Sequence, residues 1–235
     1  MSVPPDSELD TASGLMSRQG PVHARLSTDA QAWQQINGYQ VCTRLSHPSR
    51  MHAVWLCEVS HRPRLGIKGR GAAAWLTSVG VEIPGAPNHW QRDAHAALIA
   101  RLGAEDFLIC DAGEQPSGLP ARIEARWQAA VGTRGYLVPR QDGLAHFLLG
   151  GPRASEVMAR LCAVDLRTNS FAADAIAQTQ VALTSALILH AEIGGMTAYR
   201  VFVDTSLALY LWDQLVAVVE TLGGQVIGTA ALPPN

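Results

Sequence analysis

Lysine is almost absent from this chain. Lys68 is the only one, and arginine supplies the rest of the 18 basic residues that face 20 acidic ones. The net charge of −2 and the pI near 6.4 leave no basic cluster that could neutralise a phosphate backbone, so no nucleic-acid partner is expected. Arginine without lysine suits planar and interface contacts, and it also follows from GC-rich coding. Paired cysteines are lacking too. Cys42, Cys57, Cys110 and Cys162 show no Cys-x-x-Cys spacing, so all four are expected to be free and structural, in a reducing compartment. No apolar run approaches the ~20 residues of a membrane span, and no basic region followed by an apolar stretch opens the chain. The expectation is a cytoplasmic protein with no membrane partner.

Catalytic motifs are equally scarce. None of the eight histidines, His23 to His190, stands four residues from another, so no helix face carries two imidazoles and no metal site is expected. There is no Gly-x-Ser-x-Gly elbow, and no catalytic residue is assigned. What the chain does have is apolar material, 48% of its residues, enough for a sizeable core.

That material is arranged twice. Residues 65–76 and 147–158 each run from an apolar stretch through a glycine turn into a helix with small inner residues. Placing Gly69 on Gly151 puts Ala72 on Ala154, Leu76 on Met158 and Val79 on Leu161. Each copy is followed by an apolar strand closed by an aspartate (Asp111 and Asp204), then by an amphipathic helix bearing Trp127 or Trp212. The expected fold is α+β, a tandem duplication of β-α-β-β-α units with mixed or antiparallel sheets. Residues 1–22, rich in Pro, Ser, Asp and Gly, read as a flexible tail. Residues 23–235 read as one domain of two pseudo-repeats, about 40–135 and 136–230.

Finer expectations follow from punctuation. Ser27-Thr28-Asp29 offers an N-cap for a short helix over 30–36, which Asn37-Gly38 would end. Residues 41–45, 53–59 and 64–67 read as strands, and 71–79 as the first repeat helix. Residues 81–90 form a proline-broken loop with Trp90 at its end. Residues 96–102 and 105–111 form a hairpin about Gly103-Ala104, with a helix over 121–131. In the second copy, 144–149 is a strand and 152–163 a helix with Pro152 in its first turn. Residues 181–193 and 199–204 form a hairpin. The i, i+4, i+8 rhythm of Leu207, Leu211 and Leu215 predicts a helix over 207–222, stopped by Gly223-Gly224. A last strand covers 225–230.

Few residues offer chemistry. Gly66-Ile-Lys-Gly-Arg-Gly71 lacks Walker spacing and lacks the dinucleotide fingerprint, so a tight strand-to-helix turn is the plainer use of its glycines. Lys68 and Arg70 could still grip an anion there. Asp111 and Asp204 could do acid–base work, or each could cap the turn after its strand. Arg200 stands near Asp204 as a further binding candidate. His89, Trp90 and Arg92 are interface-type residues.

The stretch Arg64 to Leu76, the loop from Pro84 to Trp90, and Arg101-Leu-Gly-Ala-Glu-Asp-Phe-Leu108 resemble the gamma subunit of heterotetrameric sarcosine oxidase. The second half fits as well, from Leu148-Leu-Gly-Gly-Pro-Arg-Ala154 through Asp165-Leu166 and Phe171 to Gln178-Thr179. That family is itself similar to the folate-binding domain of the glycine-cleavage aminomethyltransferase. The resemblance implies an acid in an Asp-Asp-Leu-Ile-Val segment near the reacting nitrogens of tetrahydrofolate, where this chain has Ala96-Ala97-Leu98-Ile99-Ala100. It implies a glutamate in a Gly-Tyr-Thr-Gly-Glu turn that reads the pterin, where this chain has Gly194-Gly195-Met196-Thr197-Ala198. A pterin donor facing methyl groups would go unsatisfied, at a cost of about 1–3 kcal/mol. The resemblance therefore implies a non-catalytic structural subunit with no cofactor of its own. Its complex would carry tetrahydrofolate, FAD, FMN and NAD on larger flavin- and NAD-binding subunits, with a small zinc-binding subunit. That complex would demethylate sarcosine or a related N-methyl amine. Two alternatives stay open: a stand-alone tetrahydrofolate-binding protein of methylamine demethylation, with Asp111, Asp204, Glu105 or Arg200 replacing the missing acids, and a folate protein of the iron–sulfur repair type. No cysteine here sits in the Lys-Gly-Cys signature of the latter.

Overall fold

Asn37 and Gly38 both take positive φ, 51° and 78°, and this pair decides how the chain begins. Two consecutive left-handed residues make the tight hairpin turn that Asn-Gly favours. The structure, a computed structural model, describes residues 17–47, 53–113, 117–128 and 135–234. Within it β1 (Arg18–Gln19) is followed by α1 (His23–Leu26), β2 (Ala30–Ile36) and β3 (Tyr39–Leu45). The expected helix over 30–36 is thus a strand, paired antiparallel with β3 from Ile36↔Tyr39 outward. β1 joins β3 in parallel and Val22 is fully buried, so the expected tail gives way to folded chain before residue 22.

The first unit contains β4 (Trp55–Glu58), β5 (Arg64–Lys68), α2 (Ala72–Ser78), β6 (His89–Arg92), β7 (Ala97–Gly103), β8 (Asp106–Asp111) and α3 (Leu119–Gln128). The second contains β9 (Tyr136–Val138), β10 (Leu144–Gly150), α4 (Ala154–Leu161), β11 (Ile176–Val181), β12 (Thr184–Ile193), β13 (Met196–Asp204), α5 (Ala208–Thr221) and β14 (Gln225–Val226). Their sheets run β6-β7-β8-β5-β9 and β11-β12-β13-β10-β4-β14. The duplication is therefore present in the pairing itself. Gly69 and Gly151 both bend at φ above 100°, which glycine alone adopts readily, and the carbonyl of each accepts the N–H of Ala72 or Ala154 at 3.0 Å.

One feature of the sheets departs from a simple tandem. β4 precedes β5 in sequence, yet it pairs antiparallel with β10. β9 precedes β10, yet it pairs antiparallel with β5. Each unit lends a strand to the other, so the linkers before β5 and β10 must pass from one sheet to the other.

Alternation along each strand builds the layers. Leu65, Ile67, Ala97, Ile99, Phe107 and Ile109 face α2 and α3. Ala145, Phe147, Leu149, Val201 and Val203 face α4 and α5. The opposite faces meet through Leu98, Ala100, Leu108 and Cys110 on one sheet and Ile176, Leu189 and Phe202 on the other. The order is helices, sheet, sheet, helices. α5 buries Leu211, Trp212 and Leu215 on this plan, each such side chain stabilising the fold by about 1.5–3 kcal/mol. Gly223, at φ 73°, ends it as expected. All four cysteines are buried and free.

Several boundaries differ from expectation. Trp90 belongs to strand β6 rather than to a loop, because its backbone bonds Asp174 and Asn88 bonds Ile176, stitching the edges of the two sheets. β11 was hidden because its turn into β12 uses Ala182 and Leu183 at φ 47° and 65°, where no glycine announces it. Pro152 lies in the turn before α4. The last strand is two residues long and leads into a 3-10 turn at Thr229–Ala231. Residues 129–131 of the expected third helix lie outside the described residues.

Gly150 is where β10 passes closest to its swapped neighbour. A Cβ there would stand 2.2 Å from Cζ2 of the fully buried Trp55. Gly150→Ala is expected to cost about 2–3 kcal/mol, because neither backbone nor indole has room to yield. Urea unfolding checks this; an unmoved midpoint would mean that Trp55 swings aside.

Candidate functional site

The crossing linkers create a buried polar centre. On β5, alternation sends Leu65 and Ile67 outward to the helices and Arg64 inward, 3% exposed. Its guanidinium donates to five carbonyls. Nη1 reaches Ser60 (2.8 Å) and Arg62 (2.9 Å), Nε reaches Arg140 (3.1 Å), and Nη2 reaches Gln141 (2.8 Å) and Leu144. Two of these carbonyls lie in the linker before β5, and three lie in or next to the linker before β10. Gln141 reinforces the crossing by donating to the Ser60 carbonyl at 3.0 Å, and Ser60 Oγ accepts from the His146 N–H at 2.9 Å. Arg64 is the clamp on the strand exchange.

Around it lie more buried titratable groups. Arg62, 6% exposed, donates Nη1 to the Ala112 carbonyl at 2.7 Å. Arg200, wholly buried on the inward face of β13, donates Nη2 to the same carbonyl at 3.1 Å. Burial pulls Arg200 down to about 9, with Arg62 adding repulsion, so it still carries its proton at neutral pH. His146 stacks on Phe202 with ring centroids 4.1 Å apart, and burial followed by Arg200 holds it well below the usual imidazole range. His61 is pushed down to about 4 by burial, then by Arg62 and Arg64. Glu58 moves the other way: burial raises it, against the hydrogen bond from Ser60. A cleft of about 300 Å³ opens beside His61, Arg62 and Asp111, under the β2–β3 hairpin.

The acids within reach of these elements each give an oxygen to a cap or an ion pair, while Asp111 Oδ2 and Asp106 Oδ1 are buried without a partner. Asp111 Oδ1 accepts from the Ser117 N–H and hydroxyl, at the entry to α3. Asp204 Oδ1 accepts from the Ser206 N–H (2.9 Å) and hydroxyl (2.6 Å). Both aspartates are turn caps. They are not equivalent, however: pairing sets Cys110 against Arg64 as it sets Phe202 against His146, so Asp111 corresponds to Val203. Glu105 caps α2 through the Ala73 N–H at 2.9 Å. Asp106 pairs with Lys68 at 2.8 Å. Lys68 therefore faces a carboxylate rather than a free anion-binding turn, and Arg70 is exposed beside it.

The structure also separates what the sequence placed together. Asp106 and Asp204 line one open groove of about 650 Å³ with Arg140, whereas Asp111 and Arg62 line the smaller cleft. Ala97 faces the outer helices, and Ala198 packs inward against Trp55 and Cys57. Trp90 is half-buried against the inter-sheet cluster, His89 Nδ1 donates to the Pro87 carbonyl at 3.0 Å, and Arg92 is exposed. The sequence reading missed Arg62, Arg64 and His146. The one available signal was the phase of β5, which puts Arg64 on the same face as Gly66. Among the described residues no group of three His, Cys, Asp or Glu could hold a metal ion, and no helix is long and apolar enough to cross a membrane.

Comparison with known proteins agrees with this architecture. The family model described as the GCVT N-terminal domain matches residues 94–233. A chain of the heterotetrameric sarcosine oxidase from Corynebacterium sp. U-96, solved with pyrrole 2-carboxylate, is 20% identical with a TM-score of 0.67. The match covers 88% of this chain and 97% of that one. The glycine cleavage system aminomethyltransferase T from Bartonella henselae is 15% identical with a TM-score of 0.68, over 91% of this chain and 60% of the enzyme. No curated protein matches by sequence.

Proposed function

Because the chain belongs to the GCVT N-terminal domain family, we propose that it keeps that fold as a non-catalytic subunit of a sarcosine-oxidase-like complex. In this reading, larger flavin- and NAD-binding subunits and a small zinc-binding subunit demethylate an N-methyl amine and pass the one-carbon unit to tetrahydrofolate. One observation carries the reading: the space between the sheets holds guanidiniums, neutral imidazole and apolar side chains, while Asp111, Asp204, Glu105 and Asp106 each give an oxygen to a cap or an ion pair, which leaves Asp111 Oδ2 and Asp106 Oδ1 as their buried oxygens without a partner. A reduced pterin brings several N–H donors and needs matching acceptors. A fold with so few of them serves through its surface. The near-complete mutual coverage with one chain of a heterotetramer supports the same role. His89 and Arg92 on the β6 edge, and the exposed Leu209 and Tyr210 on α5, are the surface we assign to partners.

Coexpression tests this. The chain is expected to co-elute with the flavin-binding subunits of its own organism, and tetrahydrofolate should give no calorimetric heat on the isolated chain at micromolar concentrations. A clean monomer beside the coexpressed subunits would count against the role. Micromolar tetrahydrofolate affinity would favour the stand-alone folate protein instead.

A further inference from the structure

Arg140 carries a guanidinium without a carboxylate. Its backbone carbonyl serves the Arg64 clamp. Its side chain lies across Gly66 on the inward face of β5, where a Cβ would stand 3.1 Å from Nε. Only the bare glycine leaves the side chain this path. Most of the residue is withdrawn from solvent, and Nε is buried without a partner. Among the described residues no carboxylate lies within ion-pair distance of it. A charged donor withdrawn from water without an acceptor is costly, so its placement asks for a reason.

The groove of about 650 Å³ in front of it supplies one. It lies where β7 ends and β8 begins in one sheet and β13 ends in the other, with Arg140, Asp106 and Asp204 beside Leu102, Leu187 and Phe202 of the inter-sheet cluster. Two of the charges around it cancel: Lys68 Nζ meets Asp106 Oδ2 at 2.8 Å. The other Asp106 oxygen is buried, yet it does not bond Arg140. Asp204 gives Oδ1 to Ser206 and keeps Oδ2 free. One cation and one carboxylate oxygen are thus left over in a single groove. The guanidinium fork matches a carboxylate. Two acids on the walls repel a second negative charge, which disfavours phosphate and dicarboxylates. Asp204 Oδ2 takes a donor, and the leucines and Phe202 take an apolar body. We propose that this groove binds a small organic monocarboxylate that also bears a hydroxyl or amino donor and an apolar body. The ligand's carboxylate meets Arg140, its donor meets Asp204 Oδ2, and its body covers Leu187 and Phe202. The inference does not rest on the partner role proposed above.

The probe is mandelate, titrated into the full chain by calorimetry. A dissociation constant of about 1 mM or below is expected for a ligand of this size. Phenylacetate, which lacks the hydroxyl, should bind about three- to tenfold more weakly. 2-Phenylethylamine, which lacks the carboxylate, should give no heat at about 10 mM, well above that constant. Arg140→Leu still covers Gly66 and keeps the carbonyl that Arg64 uses; it should weaken mandelate at least about tenfold without lowering Tm. Asp204→Asn preserves the Ser206 cap and should bring mandelate and phenylacetate to equal affinity. Mandelate that gives no heat, or that binds Arg140→Leu as tightly as the wild type, overturns the site. 2-Phenylethylamine binding as well as mandelate overturns the assigned charge. A crystal structure with Arg140 bonded to Asp106 across an empty groove also ends the proposal, because the chain would then neutralise its own cation.

Discussion

Arg64→Ala is expected to lower stability by about 3–5 kcal/mol, which moves Tm down by roughly 6–20 °C in a chain of this size. The guanidinium is 3% exposed and closes five carbonyls, three of them in or beside the linker before β10 and two in the linker before β5. Its removal leaves those carbonyls buried without donors, and each buried unsatisfied group costs about 1–3 kcal/mol unless water reaches it. The loss falls where the two units exchange strands, so both sheets should loosen together. Arg64→Lys should rescue little, since one ammonium cannot reach carbonyls spread around a planar fork. Urea unfolding followed by both tryptophan fluorescence and far-UV dichroism reads the effect. A change below about 1 kcal/mol, or full rescue by lysine, would show that the crossing does not depend on the clamp.

Between pH 6.5 and pH 4 the fold should lose stability steeply. His61 is held at about 4, and His146 lies well below its ordinary value, both mainly through burial. In the unfolded chain each returns to about 6.5. In this window the unfolded state therefore binds more protons, and stability rises with pH. The contribution is complete above pH 6.5 and is lost as pH falls toward the folded values. For His61 alone that is about 3 kcal/mol. Glu58 opposes the trend. Its folded value is raised, so its burial weighs on the fold above that value, and acid relieves it. Two histidines outweigh one carboxyl, and the sum is a slope toward instability in acid. His146→Leu should reduce the slope by about 1.4 kcal/mol per pH unit while leaving stability at pH 8 less affected. Unfolding midpoints at several pH values check it. If the slope is the same in the variant, His146 protonates as readily folded as unfolded, and the buried-imidazole account fails.

Much of the architecture was legible because it rests on local chemistry. The glycine turns at Gly69 and Gly151 announced the repeat, since few other residues tolerate φ above 100°. The apolar rhythm of α5 and the Gly223 stop marked that helix to within a residue. The span from Ala30 to Ile36 was misread because alanine and glutamine favour helix. Asn37-Gly38 and the partner strand β3 overrode that preference, and strand formation depends on the partner more than on the residue. Asp111 and Asp204 looked equivalent as strand-closing acids, but the register differs by one, and in a strand one residue reverses the face.

The sequence by itself determined the duplication, the positions of α2, α4 and α5, the free cysteines, and the alanines at 96, 97 and 198, where the resemblance implies acids. The tertiary structure alone decided that β4 and β9 change places, that Arg64 clamps the crossing, and that Arg62, His146 and Arg200 are all buried at one centre. The reason is physical. A strand's pattern states which face it buries, but it does not say which neighbour covers it. Nor can a single arginine codon show whether its charge will end in water or among carbonyls; that depends on chain segments up to 80 residues away, such as Leu144 from Arg64.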